Sequence, residues 1–242
     1  MSQPVAFVCA MPMELAPLVR AANLTKHAPG PVDAAGGTIG SVPVVAVVTG
    51  MGTTLASAGV EELLGAMAVE RVVVVGIAGA LGDDLPIGAL LDPDRVIDGA
   101  TGAEFRPEPL GPGTPQGALW TSDSIVTDPA TLARLHREGV VAFDMETAAI
   151  ASVCESRGVP WSVFRAVSDR TADGDVDDEV FHLSHQDGTP DGKAVAAYVL
   201  RHPGRIPALA RMAKGSRLAT ERAASAAIAA VGALGSTPDA AG

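Results

Sequence analysis

Short apolar runs alternate with segments of helical periodicity along most of the chain. The runs are rich in valine, and the segments between them carry apolar residues at helical spacing. The pattern predicts strands at 5–10, 42–50, 71–80, 140–143 and 161–169. It predicts helices over MELAPLVRAANL, TTLASAGVEELLGAMAVE, DPATLARLHREG and METAAIASVCESRG, and further helices from residue 194 onward.

The predicted strands are apolar on both faces, which indicates that helices cover the sheet on both sides. Strands of this kind, separated by helices, are typical of a mainly parallel or mixed sheet. We therefore predict an α/β fold with three layers, in which helices flank a central sheet. The length suits a single domain over residues 1–235, and we expect the tail at 236–242 to be disordered. Residues 100–118 and 173–192 are predicted to be loops.

A ligand crevice is expected beyond the carboxyl ends of the strands in such a sheet. The segments predicted to lie there are CAMPME, TGMGTT, GIAGALGDD, FDMETA and VSDRTADGD. Acidic residues occur in four of them, and three of these acids, Glu14, Glu146 and Asp169, are expected to face one crevice. Two carboxylates held on opposite sides of a bond are what acid/base cleavage of a glycosidic linkage requires. The three acids are therefore the candidate catalytic and binding residues.

Each acid also has a structural interpretation. Glu14 taken alone is a charge in the first turn of a helix, and Asp169 with Ser168 is equally well a Ser-Asp turn. Asp169 follows a run that is apolar except for Arg165. For Asp144, which precedes the helix of METAAIASVC, capping is the favoured interpretation.

Glu146 differs from Asp144 because the helix that follows it is small and apolar. This composition indicates a tightly packed helix whose N-terminus points into a cavity. The helix dipole and free N–H groups there favour a carboxylate.

The composition narrows the possible partners. The chain has 17 basic and 28 acidic residues and a net charge of -11, which disfavours binding to nucleic acid or to an anionic membrane. Cys9 and Cys154 lie in apolar runs and are expected to be buried and unpaired, as in a reducing cytosol. The N-terminus lacks the pattern of a secretory signal, so a cytoplasmic location is expected. His182 and His185 lack further ligands nearby and do not indicate a metal site.

The chain contains three characteristic stretches, in the order CAMPMELAPL, GIAGALGDDLPIGALL and FDMETAAIASVCESRGVPWSVFRAVSD. These stretches and their order resemble the nucleoside phosphorylase/nucleosidase superfamily, and within it the 5'-methylthioadenosine/S-adenosylhomocysteine nucleosidases. The resemblance implies that Glu14 activates water and that Asp169, after Ser168, protonates N7 of a purine. It implies that Met145 and Glu146 bind the ribose. It gives as further substrate-binding positions Ile77, Ala78, Gly79, Ile125 and Val126.

The resemblance also bears on the nucleophile. Phosphorylases of this superfamily hold phosphate with arginines, one of which corresponds here to Val74, and the hydroxyl position next to it corresponds to Ile77. With no basic residue in that motif, water is favoured over phosphate. A phosphate-dependent purine nucleoside phosphorylase remains the alternative.

Two departures from the family affect the substrate. Ile77 replaces a serine near the sugar, and Ile125 replaces an aromatic residue that stacks on the base. Asp123 is a weaker candidate for closing the loop beside the base. These departures leave open a non-catalytic nucleoside-binding module.

The C-terminal part resembles hopanoid-associated nucleosidases, which act on an adenosylated lipid such as adenosylhopane. The resemblance to the nucleosidase superfamily implies a homodimer, a small-molecule nucleoside substrate and no cofactor or metal.

Overall fold

A computed structural model describes residues 2–26, 34–173, 183, 185, 189 and 191–235. Its strands are β1 Val5–Cys9, β2 Thr25–Lys26, β3 Ala35–Ile39, β4 Val42–Val48, β5 Arg71–Ala80, β6 Leu90–Leu91, β7 Arg95–Asp98, β8 Glu104–Phe105, β9 Ala118–Thr121, β10 Val140–Asp144 and β11 Trp161–Arg170. Its helices are α1 Pro12–Ala21, α2 Thr53–Ala66, α3 Pro129–Arg137, α4 Thr147–Arg157, α5 Gly192–Arg201 and α6 Ile206–Leu234.

These strands form one mixed sheet. Its main path runs β2-β3-β4-β1-β5-β10-β9-β7-β8, and β11 pairs with both β5 and β6. The contacts of β1 with β4 and β5, of β5 with β11, and of β9 with β7 and β10 are parallel. The pairing of β5 with β10 is antiparallel. The predicted α/β fold with a mixed, mostly parallel sheet is thus confirmed.

Helices cover both faces of the sheet because the side chains of alternate strand residues pack into two separate hydrophobic cores. On one face, α2 and α4 pack together over a core that includes Val8, Val74 and Ile150. On the other face, α1 and α6 pack together over a core that includes Phe7 and Val75. Burial of apolar side chains on both faces stabilises the three-layer arrangement.

Strand β5 is the branch point that positions the site. The first half, Arg71–Val74, pairs with β1, whereas Gly79 and Ala80 pair with β10. Strand β11 runs along the other edge of β5 for its full length. The carboxyl ends of β1, β5, β10 and β11 therefore meet around the second half of β5.

The long valine-rich strands were predicted correctly, but shorter strands were not. Strands β3, β7 and β9 lie outside the predicted set, and the predicted loop at 100–118 contains β8. Much of the loop predicted at 173–192 and the tail at 236–242 lie outside the described residues. Cys9 and Cys154 are buried and free, as expected. Within the described ranges, no helix is both long and apolar enough to cross a bilayer.

Candidate active site

A buried arginine on β11, Arg165, lies among the carboxylates of three other elements. Its Nη2 is 2.7 Å from Asp144 Oδ2 and 3.0 Å from Glu146 Oε2, and its Nη1 is 3.4 Å from Glu14 Oε1. The residue is only 1% exposed. Three carboxylates and one guanidinium out of contact with water form a tightly coupled cluster, in which the charge of one residue influences all the others.

The Glu14 carboxylate occupies a cradle of backbone donors. Glu14 lies in the first turn of α1, and its Oε2 accepts hydrogen bonds from the N–H groups of Ala10 at 2.9 Å and Met11 at 3.0 Å. Its Oε1 accepts from the N–H of Ile77 at 2.9 Å. Burial raises the pKa of Glu14, although Arg165 and these N–H groups act in the opposite direction. A carboxylate with a raised pKa is a better proton acceptor near neutral pH.

The absence of a side chain at Gly76 allows this cradle to form. A Cβ at Gly76 would lie closer than 3.0 Å to both Glu14 Oε1 and Arg165 Nη1, which is too close for a carbon contact. The glycine therefore gives the ion pair of Glu14 and Arg165 the space beside β5.

Asp144 ends β10 and holds the start of α4. Its Oδ2 accepts from the backbone N–H of Thr147 at 3.1 Å and from the Thr147 hydroxyl, and its Oδ1 accepts from the Thr121 hydroxyl at 2.6 Å. The predicted capping role is thus present. The same carboxylate also pairs with Arg165, so Asp144 belongs to the charged cluster as well.

Glu146 lies immediately before the first residue of α4 and is buried. Its Oε1 accepts from the N–H of Gly52, at the start of α2, at 3.0 Å, while Oε2 pairs with Arg165. Burial raises the pKa of Glu146 to about 7; Arg165 lowers it, and the nearby charges of Asp144 and Glu14 raise it. The site therefore resists carrying all three negative charges at once.

This raised pKa predicts how stability depends on pH. A carboxyl whose pKa rises on folding, here from 4.5 to about 7, binds a proton more tightly in the native state. Its contribution is therefore most favourable below about pH 4.5 and is lost as pH rises toward 7. We expect the free energy of unfolding of Glu146→Gln, measured in urea and taken relative to that of the parent, to increase by on the order of 3 kcal/mol from pH 5 to pH 8.

The amide can also change the free energy of unfolding by an amount that does not depend on pH. This amount cancels, because the test compares the difference between variant and parent at the two pH values. The matched control is Glu138→Gln, which removes an exposed partner of Arg134. An equal stability difference at both pH values for Glu146→Gln would contradict the assignment.

Asp169 lies near the end of β11, at an irregularity in its pairing with β5. Val167 is paired with Ala78 and Asp169 with Gly79, so Ser168 is an extra residue between them. The Ser168 hydroxyl contacts Asp169 Oδ1 and lies 3.3 Å from Ala78 O. A Cβ on Gly79 would lie 3.0 Å from Asp169 Oδ2, so the carboxylate lies directly over that glycine.

Strand β5 connects the two acids predicted to be catalytic. Glu14 is bound at Ile77, and Asp169 lies at Gly79. Two residues of extended strand span about 7 Å, so the strand positions that hold these carboxylates are separated by that amount. This backbone spacing is compatible with the distance of about 6.5–9.5 Å between carboxyl groups that leaves room for a water between an acid and a base.

The other predicted binding residues differ in burial and in the core that they contact. Ile77 and Met145 are half-buried, and the Ile77 side chain packs toward the core beneath α1 and α6. Ala78 is buried in the opposite core and can offer a ligand only its backbone. Ile125 and Val126 are half-buried after β9, and Val126 packs against the cluster that contains Leu81.

Asp123 binds the beginning of α2. Its Oδ1 accepts from the N–H of Thr53 at 2.7 Å and its Oδ2 from the Thr53 hydroxyl at 2.5 Å. A cavity of about 470 Å³ lies beside it, between α2, α4 and the ends of β7 and β9. Neither Glu14, Glu146 nor Asp169 lines this cavity, so it adjoins the carboxylate cluster without containing it.

The structure corrects one inference about the central motif. A basic group does lie at Ile77, because Arg165 Nη1 donates to Ile77 O at 3.2 Å. The sequence motif itself contains no arginine there, and the residue comes from β11 instead. The signal was present in the sequence as the single charged residue within the apolar run WSVFRAVS. Its charge is shared among three carboxylates, which reduces its capacity to bind an added anion.

No group of three or more His, Cys, Asp or Glu side chains suited to holding a metal ion occurs within the ranges given above. The expectation for His182 lies outside the described residues.

Comparisons with known proteins show which family the chain belongs to. The model of the phosphorylase superfamily matches residues 4–113 and 103–201. A 5'-methylthioadenosine/S-adenosylhomocysteine nucleosidase of Chromohalobacter salexigens is 31% identical over 163 residues, which cover 55% of this chain and 69% of that protein.

Two solved structures are similar over almost their whole length. One is the corresponding nucleosidase from S. pneumoniae with a transition-state inhibitor, with a TM-score of 0.70, 21% identity and coverage of 96% of this chain and 99% of that one. The other is the futalosine hydrolase of Helicobacter pylori, with a TM-score of 0.69, 16% identity and coverage of 96% and 98%. At these identities the likeness establishes the fold.

Proposed function

Because the chain belongs to the phosphorylase superfamily, we propose that it is an enzyme that hydrolyses the N-glycosidic bond of an adenine nucleoside and releases adenine. The relative from Chromohalobacter salexigens is named for two such nucleosides, methylthioadenosine and S-adenosylhomocysteine. The reaction needs a base for water, an acid for the purine and a group that holds the ribose. The three predicted acids supply these three roles.

One observation carries the choice of water over phosphate. The backbone donors of Ala10, Met11 and Ile77 all bind the Glu14 carboxylate, and Arg165 is paired with three carboxylates. A phosphate ion entering this cradle would have to displace Glu14 and would face two further negative groups. A neutral water meets no such repulsion, and Glu14 can accept its proton if water replaces one of the donors now bound to the carboxylate.

In the proposed reaction, water attacks C1' of the ribose as the bond from C1' to N9 breaks. Glu14 accepts a proton from the water, while Asp169 gives a proton to N7 so that adenine leaves as a neutral base. The Ser168 hydroxyl orients the Asp169 carboxyl, because it can donate a hydrogen bond to Asp169 Oδ1, with Ala78 O as an alternative acceptor at 3.3 Å.

Glu146 is proposed to bind the ribose hydroxyls, next to Met145. Its oxygens already bind Gly52 N–H and Arg165, yet each ionised carboxylate oxygen accepts more than one hydrogen bond. Two acceptor positions therefore remain for the sugar. In this proposal Ile77, Ala78 and Gly79 line the sugar side, and Ile125 and Val126 line the base.

A panel of nucleosides tests this function directly. Adenine and hypoxanthine nucleosides with hydroxyl, methylthio, homocysteinyl and lipid-linked groups at the 5' position are incubated with the chain and assayed for free base. We expect release of adenine from at least one 5'-substituted adenosine. Tight binding without release of base from any member would favour a non-catalytic nucleoside-binding module instead.

We also propose that the chain acts as a homodimer, in which a neighbouring copy covers the 5' substituent. The resemblance to dimeric nucleosidases supports this proposal. Size-exclusion chromatography with light scattering measures the mass at assay concentration, and a fully active monomer would contradict it.

We propose that the chain is located in the cytosol, where thiols stay reduced. Its two buried and unpaired cysteines support this proposal. Fractionation of the nucleosidase activity would test it, with activity confined to the membrane pellet as the contrary result.

A further inference from the structure

We infer that Gly215, in the middle of α6, is a positioning residue that holds the Ser168–Asp169 segment of β11 in place for catalysis. This inference rests on the proposed function, because it concerns the acid that the proposed reaction uses. Gly215 lies far in sequence from the residues of the site and has no side chain that could touch a substrate.

The backbone of α6 contacts β11 directly at this point. Gly215 is buried, and a Cβ added there would lie closer than 3.0 Å to the carbonyl oxygen of Ser168. The same Cβ would lie 3.3 Å from Ile87 Cγ2. A hydrogen fits in that direction and a methyl does not, so no other amino acid permits the helix and the strand to approach this closely.

The strand segment that Gly215 contacts is the one whose conformation aims the acid. Ser168 is the extra residue in the pairing of β11 with β5, and its hydroxyl contacts Asp169 Oδ1. The Ser168 carbonyl belongs to the peptide plane that leads into Asp169. A displacement of this carbonyl therefore rotates or shifts the carboxylate over Gly79, away from the base that it protonates.

The cost of a glycine at this position points to a specific requirement. Glycine in a helix interior is about 1 kcal/mol less favourable than alanine. The other buried positions of α6 carry alanine, threonine or valine, namely Ala208, Ala219, Thr220, Ala223, Ala224, Ala227, Ala230 and Val231. Gly232, in the same helix, would place a Cβ no closer than 3.4 Å to its nearest neighbour, Ile39 Cγ2. It is therefore a matched site where alanine fits.

The test compares Gly215→Ala with Gly232→Ala on two substrates. One is 5'-methylthioadenosine, or the adenine nucleoside that the panel identifies, whose base needs a proton to leave. The other is 4-nitrophenyl β-ribofuranoside, whose leaving group departs without one. We expect Gly215→Ala to lower kcat about 10²-fold on the nucleoside, with KM changed little and nitrophenolate release close to that of the parent, as an ångström-scale misplacement of the acid implies. Gly232→Ala should match the parent on both substrates.

Other outcomes overturn the inference while leaving the proposed function intact. An equal loss on both substrates would show a general structural role, and unchanged nucleoside turnover would show that the contact is dispensable. If Gly215→Ala does not fold, the test is repeated with the double variant Gly215→Ala/Gly232→Ala. The alanine at position 232 stabilises the helix through its higher helix propensity. Failure of both to fold also overturns it, since the contact then serves the fold and not the acid. The proposed function itself fails separately, if the parent chain turns over neither substrate.

Discussion

Replacement of Asp169 by asparagine is expected to lower kcat for adenine release by about 10²- to 10⁴-fold, the range that general acid catalysis supplies. The amide keeps the size of the carboxyl group and can still contact Ser168 and a purine nitrogen. It has no proton to transfer at neutral pH, so the base would have to leave as an anion. Steady-state assays with an adenine nucleoside, monitored by free adenine, measure the loss.

The same variant should keep the affinity of the parent for a nucleoside. Binding of a nucleoside analogue should change by less than about tenfold, because one hydrogen bond to a neutral group contributes only about 1 kcal/mol. Asp173→Asn is the matched control, since Asp173 is an exposed acid near Asp169 that pairs with Arg170. An Asp169→Asn variant with kcat within a few-fold of the parent would remove Asp169 from the mechanism.

Glu14→Gln is expected to reduce hydrolysis by a similar factor, about 10²- to 10⁴-fold, through loss of the base that accepts the proton of water. The change also has a structural cost. In the parent, both carboxylate oxygens accept hydrogen bonds, from Ala10 and Met11 on one side and Ile77 on the other. The amide would place an N–H against one of these donors, which costs about 1–3 kcal/mol of stability.

The two effects are separated by measuring kcat, nucleoside binding and urea unfolding on the same preparation. Glu62→Gln, on the exposed side of α2, is the control for an uncharged glutamine elsewhere. We expect Glu14→Gln to remain folded and to bind the nucleoside while turnover falls. Full activity in this variant, or turnover that falls only in proportion to the unfolded fraction, would contradict the role of Glu14.

The sequence was sufficient for those parts of the fold that depend on local pattern. Strands such as Val42–Val48 and Arg71–Ala80 are continuous apolar runs rich in valine, and their length and β-branched content identify them as strands. Short strands such as Leu90–Leu91 and Glu104–Phe105 exist because a neighbouring strand offers hydrogen bonds. A two-residue strand has no period of its own to detect.

The site was predicted in part for the same reason. Glu14, Glu146 and Asp169 follow apolar runs, and the mostly parallel sheet brings the ends of β1 and β11 together, while the antiparallel β10 brings its own end to the second half of β5. The ion pairs of Arg165, including the one with Asp144, were not predictable in this way. Arg165 binds residues 151, 21 and 19 positions away, and a charged residue within a strand does not indicate from sequence alone which partner neutralises it.

The close approaches at Gly76 and Gly215 were likewise not accessible from the sequence. Glycine in a strand or helix indicates that space is required, but not which atoms use it. In this chain the atoms are the Glu14 and Arg165 side chains in one case and the Ser168 carbonyl in the other.

The most direct measurement is the phosphate dependence of base release by the parent chain. An adenine nucleoside is incubated in buffer without phosphate and with an excess of it, and both adenine and the sugar product are quantified. If Glu14 occupies the cradle and water is the nucleophile, the two rates are equal and the product is a free reducing sugar. A reaction that requires phosphate and yields a sugar 1-phosphate would contradict this account.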